Sequence, residues 1–357
     1  ISKWNVSNVQ FMSNMFYDTT FEIELDLSNW DVSKVEDMSG MFSESNFIGD
    51  ISNWDVSSVE NMHAMFSSTK FKGNISNWDV SNVRNMQALF CDSRFNGDIS
   101  KWNVSKVENM SSMFCNTYFN GNLSSWDVSN VESMSYMFFN SNFDGDLSNW
   151  NTSTVTSMQQ MFRDATNFNQ DLSNWDTKKV TSLSNTFYKA WAFNGNINGW
   201  NVGNVTTMEN TFCEARMFNK PLDNWDVAKV KYFSGTFYSA KSFNQDLSNW
   251  DVSNATHFGS MFIQACGFNQ ALGGSWKNLP AQTHDSNYPV NGKYVKWMWG
   301  NWTESWTQFP KGHIQVDYDP VVGFTSIEQL KHAIHIGHAQ HVPRSNPRCH
   351  SRRILHC

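Results

Sequence analysis

The chain has 357 residues, 17% of them charged and 15% aromatic, and a formal net charge of −7. That balance permits a buried core and argues against a general affinity for nucleic acid, which needs a basic face. No run approaches 18 consecutive apolar residues, so no transmembrane helix is expected.

Taken in chain order, the first feature is a repeat that is already under way in the opening "ISKWNVSNV". Tryptophans stand at Trp4, Trp30, Trp54, Trp78, Trp102, Trp126, Trp150, Trp175, Trp200, Trp225, Trp250 and Trp276. After a step of 26 they are spaced by 24 five times, then by 25 four times, then by 26. Self-similarity at this period signals stacked units rather than separate domains, and no single unit holds enough core to stand alone.

Each unit predicts two elements. In "ISNWDVS" the apolar Trp54 and Val56 alternate with Asn53 and Asp55, the period of a short half-buried strand. Ser57 precedes Glu60 by three residues, a capping box that announces a helix; Ser33/Glu36, Ser105/Glu108 and Ser129/Glu132 repeat it. At about 100° per residue, Val59, Met62, Met65, Phe66 and Thr69 gather on one helix face. A 3₁₀ winding aligns Val59 and the two Met but displaces Phe66. A Gly turn such as "FNGD" at Phe95–Asp98 leads into the next unit. The expected fold class is therefore an α/β repeat, a leucine-rich-repeat-like solenoid of about twelve strand–helix rungs over residues 1–276.

The subtype changes at Trp150. Earlier rungs carry Ser or Thr fifteen residues after the tryptophan (Thr69, Ser93, Thr117); later rungs carry Ala (Ala165, Ala190, Ala215) and gain a residue before the second Phe. That insertion should alter curvature or twist locally. From Lys277 the period stops. Residues 277–324, with Trp297, Trp299, Trp302 and Trp306, read as an aromatic C-terminal cap, with an aromatic binding patch as the alternative. Residues 325–357 read as a short helix at Thr325–Ile334 and a basic His-rich tail. There His332, His335, His338 and His341 fall three apart, awkward for one tetrahedral metal site.

The phrase "FNQDLSNWDVSNATHFGSMF" at Phe243–Phe262 resembles the BspA-like leucine-rich-repeat surface proteins, whose repeats occur in mycoplasma lipoproteins, other bacterial surface proteins and some protists. The resemblance covers about residues 1–276. It implies an extracellular or surface-attached protein that binds host, matrix or neighbouring-cell components, and it carries over no catalytic residue. No lipid-anchor cysteine or sorting signal accompanies it.

The residue after each tryptophan is Asp or Asn in every copy but the last, where Lys277 stands. With the residues just before the tryptophans it forms a candidate binding ladder: Asn53, Asp55, Asn77, Asp79, Asp127, Asn149, Asp176, Asp226 and Asp251. Two readings stand. A carboxylate row coordinates calcium or contacts a protein or glycan, or each Asx accepts the N–H two residues on and shapes a turn. A second series (Asp26, Asp50, Asn74, Asp98 and their equivalents) reads as turn chemistry, and the Met and Trp stripes as core. Cys91 and Cys115 occupy one place in adjacent rungs and are a disulfide candidate, with free buried thiols as the alternative. No Cys-x-x-Cys zinc pattern exists, and no catalytic Ser/His/Asp or Cys/His arrangement lies outside the repeat. Nine Asn-x-Ser/Thr sequons, from Asn5 to Asn301, are mostly by-products of the repeat.

The functional expectation is extracellular recognition or adhesion without catalysis, through a protein or glycan ligand. The alternatives are a structural subunit stacked into a fibre or surface layer and a metal-dependent activity in the His-rich tail.

Overall fold

A computed structural model describes residues 1–276 other than Ala271 and Gly274. The proposed cap and the His-rich tail lie outside the described residues.

Each rung opens with two β-turns where a strand was expected. In the third copy Trp54 donates its N–H to the Ile51 carbonyl at 3.1 Å, and Val59 donates to Val56 at 3.0 Å. An Asx side chain shapes each turn. Asp50 Oδ1 accepts the Ser52 N–H at 2.9 Å, and Asp55 Oδ1 accepts the Ser57 N–H at 3.1 Å. A third such corner follows, where Asn61 Oδ1 accepts the His63 N–H at 3.1 Å. Short polar side chains that capture a backbone donor two residues on stabilise turns at the expense of strand and helix.

Beyond Asn61 the segment expected to be helical is not a helix. The N–H groups of Met62, Ala64, Phe66 and Ser68 donate to Asn85, Gln87, Leu89 and Cys91 of the next rung at 2.8–3.0 Å. The residues between them close three-residue turns, Met65 onto Met62 at 3.2 Å and Ser67 onto Ala64 at 3.0 Å. Ala64 and Ser68 hold φ of 52° and 57°. A right-handed helix sends its N–H groups back four residues and has no place for left-handed residues. Half of the peptide groups here instead point along the stack.

This overturns the α/β reading and with it the leucine-rich-repeat description of the chain. Among the described residues there is no α-helix, and parallel pairing is reduced to isolated bridges from Phe11↔Asp37 to Tyr232↔His257. The capping boxes go too. Ser57 spends its N–H on Asp55, and Glu60 donates its N–H to the Glu36 carbonyl at 2.8 Å. Glu108 meets exposed Arg84 of the preceding rung at 2.8 Å. The apolar period survived because successive three-residue turns also bring residues i, i+3 and i+4 to one side. Met62, Met65, Phe66 and Thr69 are all buried.

The core is columnar. Phe66 stacks on Phe42 and Phe90 at 5.9 Å between centroids and on Phe71 of its own rung at 4.4 Å. Offset parallel rings suit the aromatic quadrupole. The tryptophans from Trp30 on form a further column, each tied to an earlier rung: Trp54 Nε1 donates to the Leu27 carbonyl at 3.0 Å and Trp78 Nε1 to Ile51 at 3.2 Å. Trp54 is 4% exposed, so this stripe is core rather than a sugar platform.

The subtype switch has a hydrogen-bonding cause. In the 24-residue rungs that carry Ser there, the N–H of the second Phe finds its hydroxyl, as Phe95 does on Ser93 Oγ at 3.0 Å, while Thr69 and Thr117 donate to the Phe66 and Phe114 carbonyls at 2.9 Å. In 25-residue rungs the inserted residue allows a backbone turn instead, as Phe193 donates to the Ala190 carbonyl at 3.1 Å. The hydroxyl becomes dispensable and Ala replaces it. The effect is local: among the described residues the bridge series runs to Ser157 and resumes at Ser182, with no bridge between those two.

Candidate recognition surface

The predicted ladder residues emerge on one surface. Asn53, Asp55, Asn77, Asp79, Asp127, Asn149, Asp226 and Asp251 are exposed, and Asp176 is half-buried beside Lys178, whose Nζ lies 3.2 Å from Asp176 Oδ2. The residues after the tryptophans share one structural duty. Asp79, Asp127, Asp226 and Asp251 accept the N–H of Ser81, Ser129, Ala228 and Ser253 at 3.0–3.1 Å. Asn5, Asn103, Asn151 and Asn201 make the same turn at 3.1–3.2 Å. Charge is dispensable for that duty, which explains why Asp and Asn interchange.

The donors also tune acidity. The Ser81 hydroxyl and then its N–H hold the Asp79 carboxyl below the usual range. For Asp176 and Asp251 the N–H of Lys178 and of Ser253 is the leading cause. The second Asx series behaves alike: Asp26, Asp98, Asn122 and Asp146 accept the N–H of Ser28, Ser100, Ser124 and Ser148 at 2.8–3.0 Å. For calcium, no group of three or more His, Cys, Asp or Glu side chains comes together among the described residues.

The residues before the tryptophans are different. Asn53, Asn77, Lys101, Ser125, Asn149, Asn174, Gly199 and Asn224 vary in size and charge, because no shared turn depends on them. One rung opens a gap here. Gly199 stands where most rungs carry Asn, and Gly203 where most carry Ser. The result is a cleft of about 310 Å³ lined by Asn198, Gly199, Trp200, Asn201, Val202, Asn224 and Asp226. A Cβ on Gly199 would come within 3.2 Å of the Ser173 carbonyl, and one on Gly203 within 3.3 Å of Asn201 Oδ1 and 3.5 Å of Asp226 Oδ2, two atoms of lining residues. Asn198 is held across the rungs, donating to Asp223 at 2.8 Å and accepting from the Asn224 N–H at 3.2 Å.

Two features went unread in the sequence. One is an asparagine ladder near the second Phe: Asn169, Asn194, Asn219 and Asn244 each accept the backbone N–H of their equivalent in the next rung at 2.7–2.9 Å. The recurring Phe-Asn in "FNQD" and "FNGN" was its signal. The other is an aromatic and cationic patch, where the Arg163 guanidinium lies 4.7 Å over Tyr188 and 5.5 Å over Phe139, and Arg216 lies 4.4 Å over Trp191. The residues thirteen past each tryptophan, including Cys91, Cys115, Phe139, Arg163 and Tyr188, were legible as one column only at the cysteines, Cys91, Cys115 and Cys213. Cys91 and Cys115 are free thiols in the structure.

The family model described as "Mycoplasma protein of unknown function, DUF285" matches residues 1–68, 44–141, 117–213 and 181–293 in overlapping tiles. No curated protein and no solved structure matches the chain. The described residues contain no helix long and apolar enough to cross a membrane.

Proposed function

The chain belongs to this repeat family, and we propose that it is a recognition or adhesion protein, acting outside the cell or at its surface, which binds a glycan or protein through the polar face beside the tryptophans. The reading assigns binding rather than catalysis to that face. The observation that carries it is the cleft at Gly199, where the solvent-facing atoms of Asn201, Asn224 and Asp226 converge beside the turns that Asn201 and Asp226 hold. Its volume sits at the low end of small-ligand sites, roughly 300–1,000 Å³, and suits one ring of a polyhydroxylated ligand. Asn201 and Asn224 offer amide donors and acceptors, Asp226 offers a carboxylate, and Val202 supplies an apolar wall.

The test is an array of glycans and matrix proteins, with and without calcium, probed with the native chain and with Gly199→Asn/Gly203→Ser. That double variant restores side chains which neighbouring rungs already accommodate. A ligand bound by the native chain and lost by the variant is the expected result. An array without binders in either condition, or binders indifferent to the filled cleft, overturns the assignment.

A further inference from the structure

Cys91 and Cys115 lie in adjacent rungs at the same place, thirteen residues past Trp78 and Trp102. The backbone fixes them in register. Ser68 donates its N–H to the Cys91 carbonyl and Asp92 donates to the Cys115 carbonyl, both at 2.8 Å. Each cysteine closes a turn whose preceding left-handed residue, Ala88 or Ser112, has φ of 54° or 58°. Two equivalent backbones paired this way sit about 4.8 Å apart, inside the Cα separation a disulfide tolerates, about 4.4–6.8 Å. Their side chains leave the backbone in the same direction, with Ser67 in this place one rung before and Phe139 one rung after.

The thiols already interact. Cys91 donates to Asp92 Oδ2 at 3.3 Å, and its S–H faces the Cys115 sulfur of the next rung. That contact draws Cys115 below the ordinary thiol range and holds the Cys91 proton on. Cys91 is half-buried and Cys115 is 9% exposed, so the pair opens to solvent through Cys91. Cys213 is a built-in control. It occupies the same place in a later rung, between Tyr188 and Tyr238 and without a second thiol, and burial pushes it up to about 12.

We propose that Cys91 and Cys115 form a vicinal dithiol that low-molecular-weight disulfides oxidise to a covalent staple between two rungs. The inference stands independently of the recognition function. The Cys115 thiolate attacks one sulfur of a small disulfide such as oxidised glutathione, forming a mixed disulfide and releasing one glutathione thiolate, which takes the Cys91 proton. Cys91 then attacks Cys115 Sγ and releases the second glutathione. Two protein S–H groups are lost, one protein S–S bond forms, and one small disulfide becomes two thiols. The register makes the second step fast, because the resolving thiol needs no chain movement.

The experiment treats the folded full-length chain with oxidised glutathione, quenches with acid, alkylates after denaturation and maps the peptides by mass spectrometry. A Cys91–Cys115 cross-linked peptide is expected, without a lasting glutathione adduct on either residue. Loss of these thiols should outpace that of Cys213 by about ten-fold or more, following thiolate fraction and access. Cys115→Ser and Cys91→Ser follow the Ser67 precedent and should leave the circular dichroism spectrum unchanged. Cys91→Ser leaves Cys115 without a resolving partner, so Cys115 should retain one glutathione, whereas Cys115→Ser removes the attacking thiolate and should slow the loss of Cys91. The proposal is overturned if Cys91 and Cys115 both remain alkylatable, if both accumulate glutathione, or if Cys213 is consumed as fast.

Discussion

Replacing Trp126 by Phe tests whether the repeated tryptophan is a structural tie. Trp126 is 3% exposed, and its Nε1 donates to the Ile99 carbonyl at 3.1 Å. That carbonyl also accepts the Trp102 N–H at 3.1 Å, so deleting the indole donor does not orphan it. The hydrogen-bond loss is therefore the ordinary net value, about 0.5–1.5 kcal/mol. The smaller ring also gives up packing against Phe114, whose centroid is 6.3 Å away. Counting the lost atoms as about two methylene equivalents at roughly 0.8 kcal/mol each adds about 1.5 kcal/mol. Trp126→Phe should cost about 2–3 kcal/mol in all. Trp4→Phe is the control, because Trp4 is 55% exposed, and its cost should stay within about 0.5 kcal/mol. Urea unfolding followed by far-ultraviolet circular dichroism reports both changes without relying on tryptophan emission. Native-state hydrogen exchange should show the Trp126 defect on the amides of its own and flanking rungs. A cost below 0.5 kcal/mol for Trp126→Phe, or an equal cost for Trp4→Phe, would refute the tie.

Ser93→Ala should destabilise by about 1–3 kcal/mol, because it leaves the buried Phe95 N–H without its acceptor; urea midpoints against wild type measure it. The same hydroxyl deletion is already present at Ala190, where a backbone carbonyl serves. Acid titration offers a second test. The N–H and then the hydroxyl of Ser52 hold Asp50 below its usual range, and the Ser28 hydroxyl and N–H do the same for Asp26. Depressed carboxyls stabilise the fold fully above the unfolded value of about 3.9 and lose that contribution as pH falls through their folded values. Unfolding midpoints should therefore show no dependence on these groups between pH 5 and 8 and should fall below about pH 4. Asp50→Asn keeps the turn and should flatten that acid limb; an unchanged limb rejects the linkage.

The burial pattern was legible in the sequence, and the elements that produce it were not. Trp54, Val56, Val59, Met62, Met65 and Phe66 are inside as their spacing implied. The spacing does not say whether the Met65 N–H closes onto Met62 or onto a residue four back, and that choice separates turn from helix. The decisive information was in residues that looked incidental. Asp50, Asp55 and Asn61 capture N–H groups in succession, so each stretch between them is too short for a regular element. Among the described residues the left-handed positions are occupied by Asn or Asp, such as Asp92 and Asn116, by residues such as Ala64, Ser68 and Ala88, and by glycine only at Gly40 and Gly235. The glycine signal that most plainly marks such a backbone is therefore nearly absent from these positions.

The same geometry separates polar residues that build the rung from those left for contact. Asp55 was a strong candidate because its column recurs, but recurrence is what a shared turn produces, and Asp55 Oδ1 makes that turn. Informative positions are those whose identity changes while the backbone does not. Beside the tryptophans this is the column of Asn53, Lys101, Ser125 and Gly199, which reaches its extreme at the cleft. On the turn segment it is the column of Ser67, Cys91, Cys115, Phe139, Arg163 and Tyr188. There each rung spends its peptide groups on its neighbours through Ser68 and Asp92, leaving the side chain free to differ. A backbone that satisfies itself rung by rung places side chains about 4.8 Å apart without prescribing them. In this fold a pair such as Cys91–Cys115, or a gap such as Gly199–Gly203, arises from point changes that the scaffold tolerates.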